Sequence, residues 1–230
     1  MKIHGLQKMT LLDFPGHVAC TVFLGGCDFR CPFCHNYELI DGSAEPLMDD
    51  EEFFAFLEKR GGLLDGVAVT GGEPCLHPGL PDFFARVREM GFMTKLDTNG
   101  FHPDMLRTLF GGGLVDYVAM DVKNSPEKYA ATCGLEEIDL SPIRESISLI
   151  KESGIGYEFR TTVIDEFHEV ADFDGIGEMI RGAGKYFIQP FTDRDSVPFG
   201  NLHAPDREKL AGFEAAVKKY VGFVSIRGID

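Results

Sequence analysis

The chain has 230 residues, of which 44% are hydrophobic, and its 22 basic and 37 acidic residues give a formal net charge of -15 at pH 7. This acidity argues against nucleic acid as a partner, because binding to a phosphate backbone needs a basic surface. The first residues show no signal-peptide pattern and no apolar run is long enough to cross a bilayer, so we expect one cytoplasmic domain over residues 1–230 and no membrane partner.

Strand-like and helix-like segments alternate along the chain from residue 17 onwards. The first predicted strand, residues 17–24, follows the turn signal Asp13-Phe14-Pro15-Gly16 and stops at Gly25-Gly26. Further apolar runs predict strands at residues 66–70, 92–96, 117–120, 157–164 and 185–190, with a possible seventh at 221–226. Apolar residues at helical spacing predict helices at residues 51–59, 80–90, 103–110, 142–152, 173–181 and 206–220.

Strands that are joined by helices of this length must run parallel, with right-handed crossovers. A full eight-unit barrel usually takes about 250 residues, which is more than this chain has. We therefore predict an α/β fold, a partial (β/α)6 TIM-like barrel of parallel strands in a single domain.

Three cysteines follow the first predicted strand at C-x3-C-x2-C spacing: Cys27, Cys31 and Cys34. Three thiolates without a nearby fourth leave a [4Fe-4S] cluster with one iron open to a ligand. Structural zinc would also use such thiolates, but its fourth ligand would be His35, whose position next to Cys34 makes simultaneous ligation strained. A disulfide pair or ordinary buried thiols would account for the cysteines without any metal, and the buried-thiol interpretation is favoured for three isolated cysteines: Cys20, Cys75 and Cys133.

Each of the six predicted strands carries unusual residues near its carboxyl end, where barrels and open α/β sheets bind ligands. Besides the cysteines, these residues are Gly71-Gly72-Glu73, Asp97-Thr98-Asn99, Asp121 with Lys123, Arg160 with Thr162, and Gln189. Residues two apart in a strand project to one face, so Asp121 and Lys123 should face the same side, as should Arg160 and Thr162. Such charges are costly unless they pair with each other or with a zwitterionic ligand, and ordinary salt bridges remain the competing interpretation for either pair alone.

With the cysteines and the strand ends taken together, the chain resembles the radical S-adenosylmethionine superfamily over nearly its whole length. Members of that superfamily are partial barrels with C-x3-C-x2-C after the first strand. The resemblance implies that Cys27, Cys31 and Cys34 bind a [4Fe-4S] cluster and that Phe33 lies beside the adenine of S-adenosylmethionine. It further implies that Gly71-Gly72-Glu73-Pro74 meets the amino group of the methionine part.

Three stretches are most similar to glycyl-radical-enzyme activating proteins, above all to those of anaerobic ribonucleoside-triphosphate reductase: residues 13–16, 31–36 and 97–100. By this resemblance Asp97, Asp121 and Lys123 contact the amino acid end and the ribose of S-adenosylmethionine. Arg160, Thr162 and Gln189 form the rim around the ribose and the adenine. The chain departs from the lyase-activating relatives at Thr192, where they carry a histidine.

The resemblance implies a reaction and its partners. S-adenosylmethionine would be cleaved reductively at the cluster, and the resulting 5′-deoxyadenosyl radical would take hydrogen from a glycine of a glycyl radical enzyme, with anaerobic ribonucleotide reductase as the first candidate. An electron donor such as flavodoxin or ferredoxin is implied as a second partner. Because the cofactors carry the chemistry, no side chain is named as a general acid or base.

Two further functions stay open on the sequence. A radical enzyme that acts on a small molecule, such as 7-carboxy-7-deazaguanine synthase, shares the size and the scaffold, although its cluster loop usually differs from Cys-Pro-Phe-Cys-His-Asn. A non-enzymatic zinc or interaction module is the second of these functions. Metal analysis separates that module from an iron-sulfur enzyme.

Overall fold

The computed structural model describes residues 1–228, and the strands of this part of the chain alternate with its helices. The strands are β1 (Lys2–Ile3), β2 (Gly5–Thr10), β3 (Ala19–Leu24), β4 (Met48–Asp49), β5 (Gly66–Gly71), β6 (Met93–Thr98), β7 (Tyr117–Asp121), β8 (Gly156–Val163), β9 (Tyr186–Pro190) and β10 (Val224–Ile226). The helices are α1 (Tyr37–Asp41), α2 (Asp50–Glu58), α3 (Leu80–Glu89), α4 (Pro103–Gly111), α5 (Tyr129–Thr132), α6 (Ser141–Glu152), α7 (Asp172–Met179) and α8 (Arg207–Val217). A 3-10 turn, Pro74–Leu76, follows β5.

Eight strands form one sheet in the spatial order β10-β9-β8-β7-β6-β5-β3-β2. In this sheet the strands from β3 to β10 pair in parallel, whereas β2 pairs with β3 in antiparallel orientation. The strands β1 and β4 form a separate two-stranded antiparallel sheet. This topology confirms the predicted partial barrel and brings the carboxyl ends of seven parallel strands to one edge.

The helices pack apolar stripes against the outer face of the sheet. Helix α2 begins at a capping box, in which the Asp49 carboxylate accepts from the Glu52 backbone N–H and the Glu52 carboxylate accepts from that of Asp49. Its residues Phe53, Phe54 and Leu57 are buried, as the helical spacing predicts. Among residues 1–228, no helix is long and apolar enough to cross a membrane.

The inside of the barrel is closed at its amino-terminal end by an aromatic side chain. Phe14 is buried there with Ala19 and Tyr117, and its ring lies 6.2 Å from that of Tyr117. A Cβ atom on Gly66 would come within 2.9 Å of the Phe14 ring, so the glycine makes the space that this ring fills. The ligand-binding end of the barrel is therefore the opposite one.

The structure agrees with the predicted strands and helices and differs at a few bounds. The possible seventh strand is confirmed, because β10 pairs in parallel with β9. Strand β2 was not predicted, because Gly5–Thr10 is mostly half-buried or exposed and lacks a clean apolar pattern. The strand predicted at residues 92–96 extends further at its carboxyl end, because Asp97 and Thr98 pair with β7.

Candidate active site

A cavity opens at the carboxyl ends of the parallel strands. It is lined by every predicted site residue except one: Cys27, Cys31, Phe33, Cys34, Gly71, Gly72, Asp97, Asp121, Lys123, Arg160, Thr162 and Gln189. The exception is Glu73, which is fully buried behind the cavity wall. The fold therefore brings together residues from six strand ends, as their positions in the sequence predict.

The cysteine loop between β3 and α1 is fastened at several points. Within the loop, the Cys34 backbone N–H donates to the Cys31 carbonyl over 3.1 Å. The Arg30 backbone N–H donates to the Cys133 carbonyl over 2.8 Å, which joins the loop to the end of α5. The Asn36 side-chain amide donates to the Gly71 carbonyl over 3.1 Å, so the loop is also joined to the end of β5. These bonds fix where the three thiols meet the cavity.

The three thiols differ in how readily they ionise. Burial raises the pKa of Cys27 to about 12 and also raises that of Cys34. A hydrogen bond from the Cys133 thiol lowers the pKa of Cys31 to about 7, against the effect of burial, and the Lys123 ammonium acts in the same direction. Of the three thiols, Cys31 therefore has the surroundings that most favour the ionised form.

Two N–H groups are directed at the sulfur of Cys27. The backbone N–H of Phe29 donates to it over 3.4 Å, and the side-chain amide of Asn99 donates over 3.8 Å. Donors of this kind stabilise a thiolate and tune the potential of an iron-sulfur centre. Among residues 1–228, no set of three His, Cys, Asp or Glu side chains converges on a point for a single metal ion.

The Gly71-Gly72 turn packs directly on the strand and the loop beside it. Gly71 has a φ of 125°, and a Cβ atom there would lie 2.2 Å from the Leu24 carbonyl oxygen. A Cβ atom on Gly72 would lie 1.9 Å from the Gly26 carbonyl oxygen. Both positions therefore require glycine, and the close approach exposes backbone groups to the cavity that Cys27 also lines.

Glu73 holds the end of β6 in place. Its carboxylate accepts from the Asn99 backbone N–H over 2.6 Å, from the Cys75 backbone N–H over 2.9 Å and from the Thr98 hydroxyl over 2.8 Å. Burial raises the pKa of this carboxyl group, although these hydrogen bonds act in the opposite direction. In this geometry Glu73 joins the glycine turn to the Asp97-Thr98-Asn99 segment.

Charged side chains form a connected network along one wall of the cavity. Arg160 donates to Asp121 over 2.5 Å and to Asp97 over 3.1 Å, and Lys123 donates to Asp121 over 2.8 Å. Burial would raise the pKa of both carboxyl groups, but the neighbouring cations, above all the guanidinium of Arg160, outweigh it, so both pKa values lie below their usual range. The charges pair with each other, which is one of the two arrangements that the sequence left open, and the wall still presents both signs to the cavity.

Aromatic rings flank the cysteine loop on the side of the last strands. The Phe33 ring lies 6.0 Å from that of Phe167. The His35 ring stacks on Phe191 at 5.5 Å with an angle of 3° between the planes, and its Nε2 lies 2.7 Å from the Thr192 carbonyl oxygen. These contacts join the loop after β3 to the segment after β9.

Three contacts at the site were not predicted from the sequence. They join the Asn99 amide to Cys27, the Cys133 thiol to Cys31 and the Lys95 ammonium to Asp97. A signal existed for Lys95, because it precedes Asp97 by two residues and so shares its face of the strand. No short-range pattern indicates Cys133, since about a hundred residues separate it from the cysteine loop.

The donor set fits a [4Fe-4S] cluster and S-adenosylmethionine. Three thiols reach one cavity, N–H donors face one of the sulfurs, and the cavity is also lined by carboxylates and cations that match a zwitterion. The glycine turn lines the same cavity.

Comparison with known proteins agrees with this chemistry. The model of the radical SAM superfamily matches residues 21–173. A protein of Methanocaldococcus jannaschii with the provisional name glycyl-radical enzyme activating enzyme is 30% identical over 240 residues, which cover 99% of this chain and 96% of the relative. A pyruvate formate-lyase-activating enzyme of Clostridium pasteurianum is 30% identical over 95% of this chain and 97% of its own length. A 7-carboxy-7-deazaguanine synthase of Thermococcus kodakarensis is 28% identical over 74% of this chain and 72% of its own length.

The matched family region contains the three cysteines, the glycine turn and the charged wall up to Thr162. The chain therefore belongs to the radical SAM superfamily, whose members use a [4Fe-4S] cluster and S-adenosylmethionine, and it is an enzyme that acts by generating a radical.

Proposed function

We propose that this enzyme activates a glycyl radical enzyme by removing a hydrogen atom from one of its glycine residues, and that anaerobic ribonucleoside-triphosphate reductase is that partner. The observation that carries the proposal is the match at 30% identity along 96% of a protein named as a glycyl-radical enzyme activating enzyme. The similarity to a pyruvate formate-lyase-activating enzyme over nearly its full length supports the same class of partner. The choice of the reductase rests on the resemblance of the cysteine loop and the Asp97-Thr98-Asn99-Gly100 segment.

In this proposal the residues of the chain bind and orient the cofactors. Cys27, Cys31 and Cys34 would hold the cluster and leave one iron without a protein ligand. The exposed backbone of Gly71 and Gly72 would take the methionine amino group. When bound, the cluster and S-adenosylmethionine supply a one-electron cleavage of the sulfonium, which generates the species that abstracts hydrogen.

The charged wall would orient the remainder of S-adenosylmethionine. Asp97, Asp121 and Lys123 carry the charges that suit its amino acid end and ribose hydroxyls. Arg160, Thr162 and Gln189 follow along the last strands, and they line the same cavity as Phe33. Fixed charges held by one another need little reorganisation when the ligand enters, and this supports precise placement of the sulfonium.

The protein substrate and the electron donor are the remaining parts of the proposal. A glycine that is to be oxidised must lie in a loop of the partner that enters the open end of the barrel. Cleavage consumes one electron, so a donor such as flavodoxin or ferredoxin would supply it.

The proposal is tested by electron paramagnetic resonance. The anaerobically reconstituted enzyme is mixed with S-adenosylmethionine, a strong reductant and anaerobic ribonucleotide reductase, and a glycyl radical doublet is expected. The control is a reductase in which the radical-bearing glycine is replaced by alanine, which should give no doublet. The absence of a doublet with the intact reductase, from an enzyme shown to cleave S-adenosylmethionine, would contradict this choice of partner.

A radical reaction on a small molecule is the second candidate, because a 7-carboxy-7-deazaguanine synthase matches about three quarters of the chain. That match covers 74% of the chain, whereas the match to the first activating enzyme covers 99%. Incubation with the small-molecule substrate of such a synthase, followed by mass spectrometry, separates the two. Turnover of that substrate without any radical on a protein would favour the synthase.

A further inference from the structure

One buried cation belongs to the charged wall but does not line the cavity. Lys95 lies in the middle of β6 with only 2% of its side chain exposed, and its ammonium donates to the Asp97 carboxylate. The other oxygen of that carboxylate accepts from Arg160. Asp97 is therefore held at both oxygens, one by Lys95 and one by Arg160.

Small residues lie beside Lys95 and Asp97 in the neighbouring strands. Lys95 is aligned with Ala68 of β5, and Asp97 is aligned with Ala119 of β7. Both alanines are fully buried, and their short side chains take up little of the space beside Lys95 and Asp97. On its other side Lys95 is aligned with Tyr117 of β7, which is buried together with Phe14. The small neighbours thus make room for a long side chain whose charged end reaches Asp97.

The charge balance of the wall depends on this lysine. Two carboxylates, Asp97 and Asp121, are connected to three cations, Lys95, Lys123 and Arg160. Burying two carboxylates near each other is costly unless cations compensate them. Of the three cations, Lys123 and Arg160 line the cavity and can meet a ligand, whereas Lys95 is enclosed behind Asp97. Lys95 can thus act on a ligand only through Asp97.

We propose that Lys95 is a positioning residue that fixes the Asp97 carboxylate, in its ionised form, for the cationic end of S-adenosylmethionine. This inference rests on the proposed use of the cavity for that cofactor. Without Lys95, Asp97 keeps Arg160 as its partner and turns toward it, so that its second oxygen no longer has a fixed direction. Binding of S-adenosylmethionine then weakens, although the cysteine loop and the cluster are unchanged.

The test is calorimetric titration of S-adenosylmethionine into the anaerobically reconstituted enzyme. Lys95→Met keeps the length and most of the volume of the side chain and removes its charge. We expect Kd to increase by about tenfold or more, because the charge interaction that fixes Asp97 is lost, with iron content and the visible spectrum unchanged. Lys59→Met, at an exposed position at the end of α2, is the matched control and should bind like the wild type.

A double-mutant cycle separates positioning from a general structural role. If Lys95 acts through Asp97, adding Lys95→Met to Asp97→Asn should change Kd by less than about twofold relative to Asp97→Asn alone. The comparison of the double variant with Asp97→Asn can be made even if Lys95→Met alone fails to fold. In the double variant both members of the Lys95–Asp97 pair are uncharged, so neither of them is left as a buried charge without its partner. Additive losses of binding in the double variant would overturn the inference.

The two proposals fail in different ways. If the wild type carries its cluster and binds S-adenosylmethionine while Lys95→Met binds it equally well, the role of Lys95 is wrong and the proposed function stands. If the cluster-loaded wild type does not bind S-adenosylmethionine, the proposed function itself fails.

Discussion

Lys123 is held at two places, by an ion pair and by a contact with a buried histidine. Its ammonium pairs with Asp121, while its backbone carbonyl lies 2.9 Å from Nε2 of the buried His168 ring. The His168 Nδ1 lies 3.2 Å from the Ile164 backbone nitrogen and 3.3 Å from the Ile164 carbonyl oxygen, so both ring nitrogens contact backbone groups. The wall is thus supported from the loop before α7.

We predict that this histidine makes folding less stable in acid. Burial lowers the pKa of His168 below its ordinary value of 6.5, so the unfolded chain binds a proton that the folded chain does not. The contribution of His168 to the free energy of unfolding is therefore fully present above pH 6.5. It falls as the pH drops below 6.5, by at most about 1.4 kcal/mol per pH unit. Urea unfolding of the apoprotein at several pH values on both sides of 6.5 measures the slope.

His168→Gln provides the control for this prediction, because glutamine can donate to the Lys123 carbonyl and does not titrate. The variant should lose part of the dependence on pH in the unit below 6.5. Equal slopes for the wild type and the variant over this range would show that His168 is not the responsible group.

Asn99 leads to a second prediction, which concerns the reduction potential of the cluster. Its amide donates to the Cys27 sulfur while its Oδ1 accepts from the Phe101 backbone N–H over 2.9 Å. Asn99→Asp keeps that acceptor and replaces the donor by a negative charge, so the reduced cluster is disfavoured and its potential falls. Losing the hydrogen bond to Cys27 costs on the order of 1 kcal/mol, which corresponds to a decrease in the reduction potential of roughly 40 mV for a one-electron couple.

A redox titration followed by electron paramagnetic resonance measures this shift. Asn99→Ser, which removes the amide without adding a charge, should give a smaller decrease in potential. A potential that is unchanged or higher in Asn99→Asp would contradict the assigned hydrogen bond.

The turn between β5 and the 3-10 turn Pro74–Leu76 determines how closely two parts of the site approach. We predict that Gly72→Ala lowers both stability and iron loading, because its Cβ would lie 1.9 Å from the Gly26 carbonyl oxygen in the cysteine loop. Overpacking of this kind costs about 1–3 kcal/mol. Thermal unfolding and iron content after reconstitution measure the two effects.

Gly79→Ala is the matched control for this turn. Gly79 precedes α3 with a φ of -81°, and no atom lies within 4 Å of its added Cβ. This variant should load iron like the wild type. The assigned close packing at Gly72 would be wrong if Gly72→Ala also loaded iron like the wild type.

The parallel strands and the long helices of the barrel were predictable because they carry local signals. Buried strands such as β5 lie in continuous apolar runs, and helices such as α3 show apolar residues at helical spacing. The ends were less predictable: Asp97 and Thr98 look like turn residues, yet β6 includes them because Arg160, Lys95 and β7 supply their partners. The antiparallel β2 lacked a signal because it lies at the edge of the sheet, with much of its surface exposed.

In the complete barrel, residues that are far apart in the sequence meet at one site, and the sequence predicts only some of these meetings. Ligands bind at the carboxyl ends of parallel strands, and this rule correctly predicted that Gly72, Asp121 and Gln189 meet, since all three line the cavity. The same rule does not report which side chains behind the wall support it. Cys133 contacts Cys31 and Glu73 contacts Thr98, and no local pattern in the sequence indicates either contact.

Cleavage of S-adenosylmethionine by the reduced, anaerobically reconstituted protein is the most direct measurement of what the three cysteines do. We predict 5′-deoxyadenosine and methionine in equal amounts from the wild type, and neither product from Cys27→Ala, Cys31→Ala or Cys34→Ala. Cys20→Ala, a change at a buried cysteine outside the cavity, should retain the iron and the reaction. A wild-type protein that carries a reducible four-iron cluster and yet leaves S-adenosylmethionine intact would contradict the assignment of this cavity.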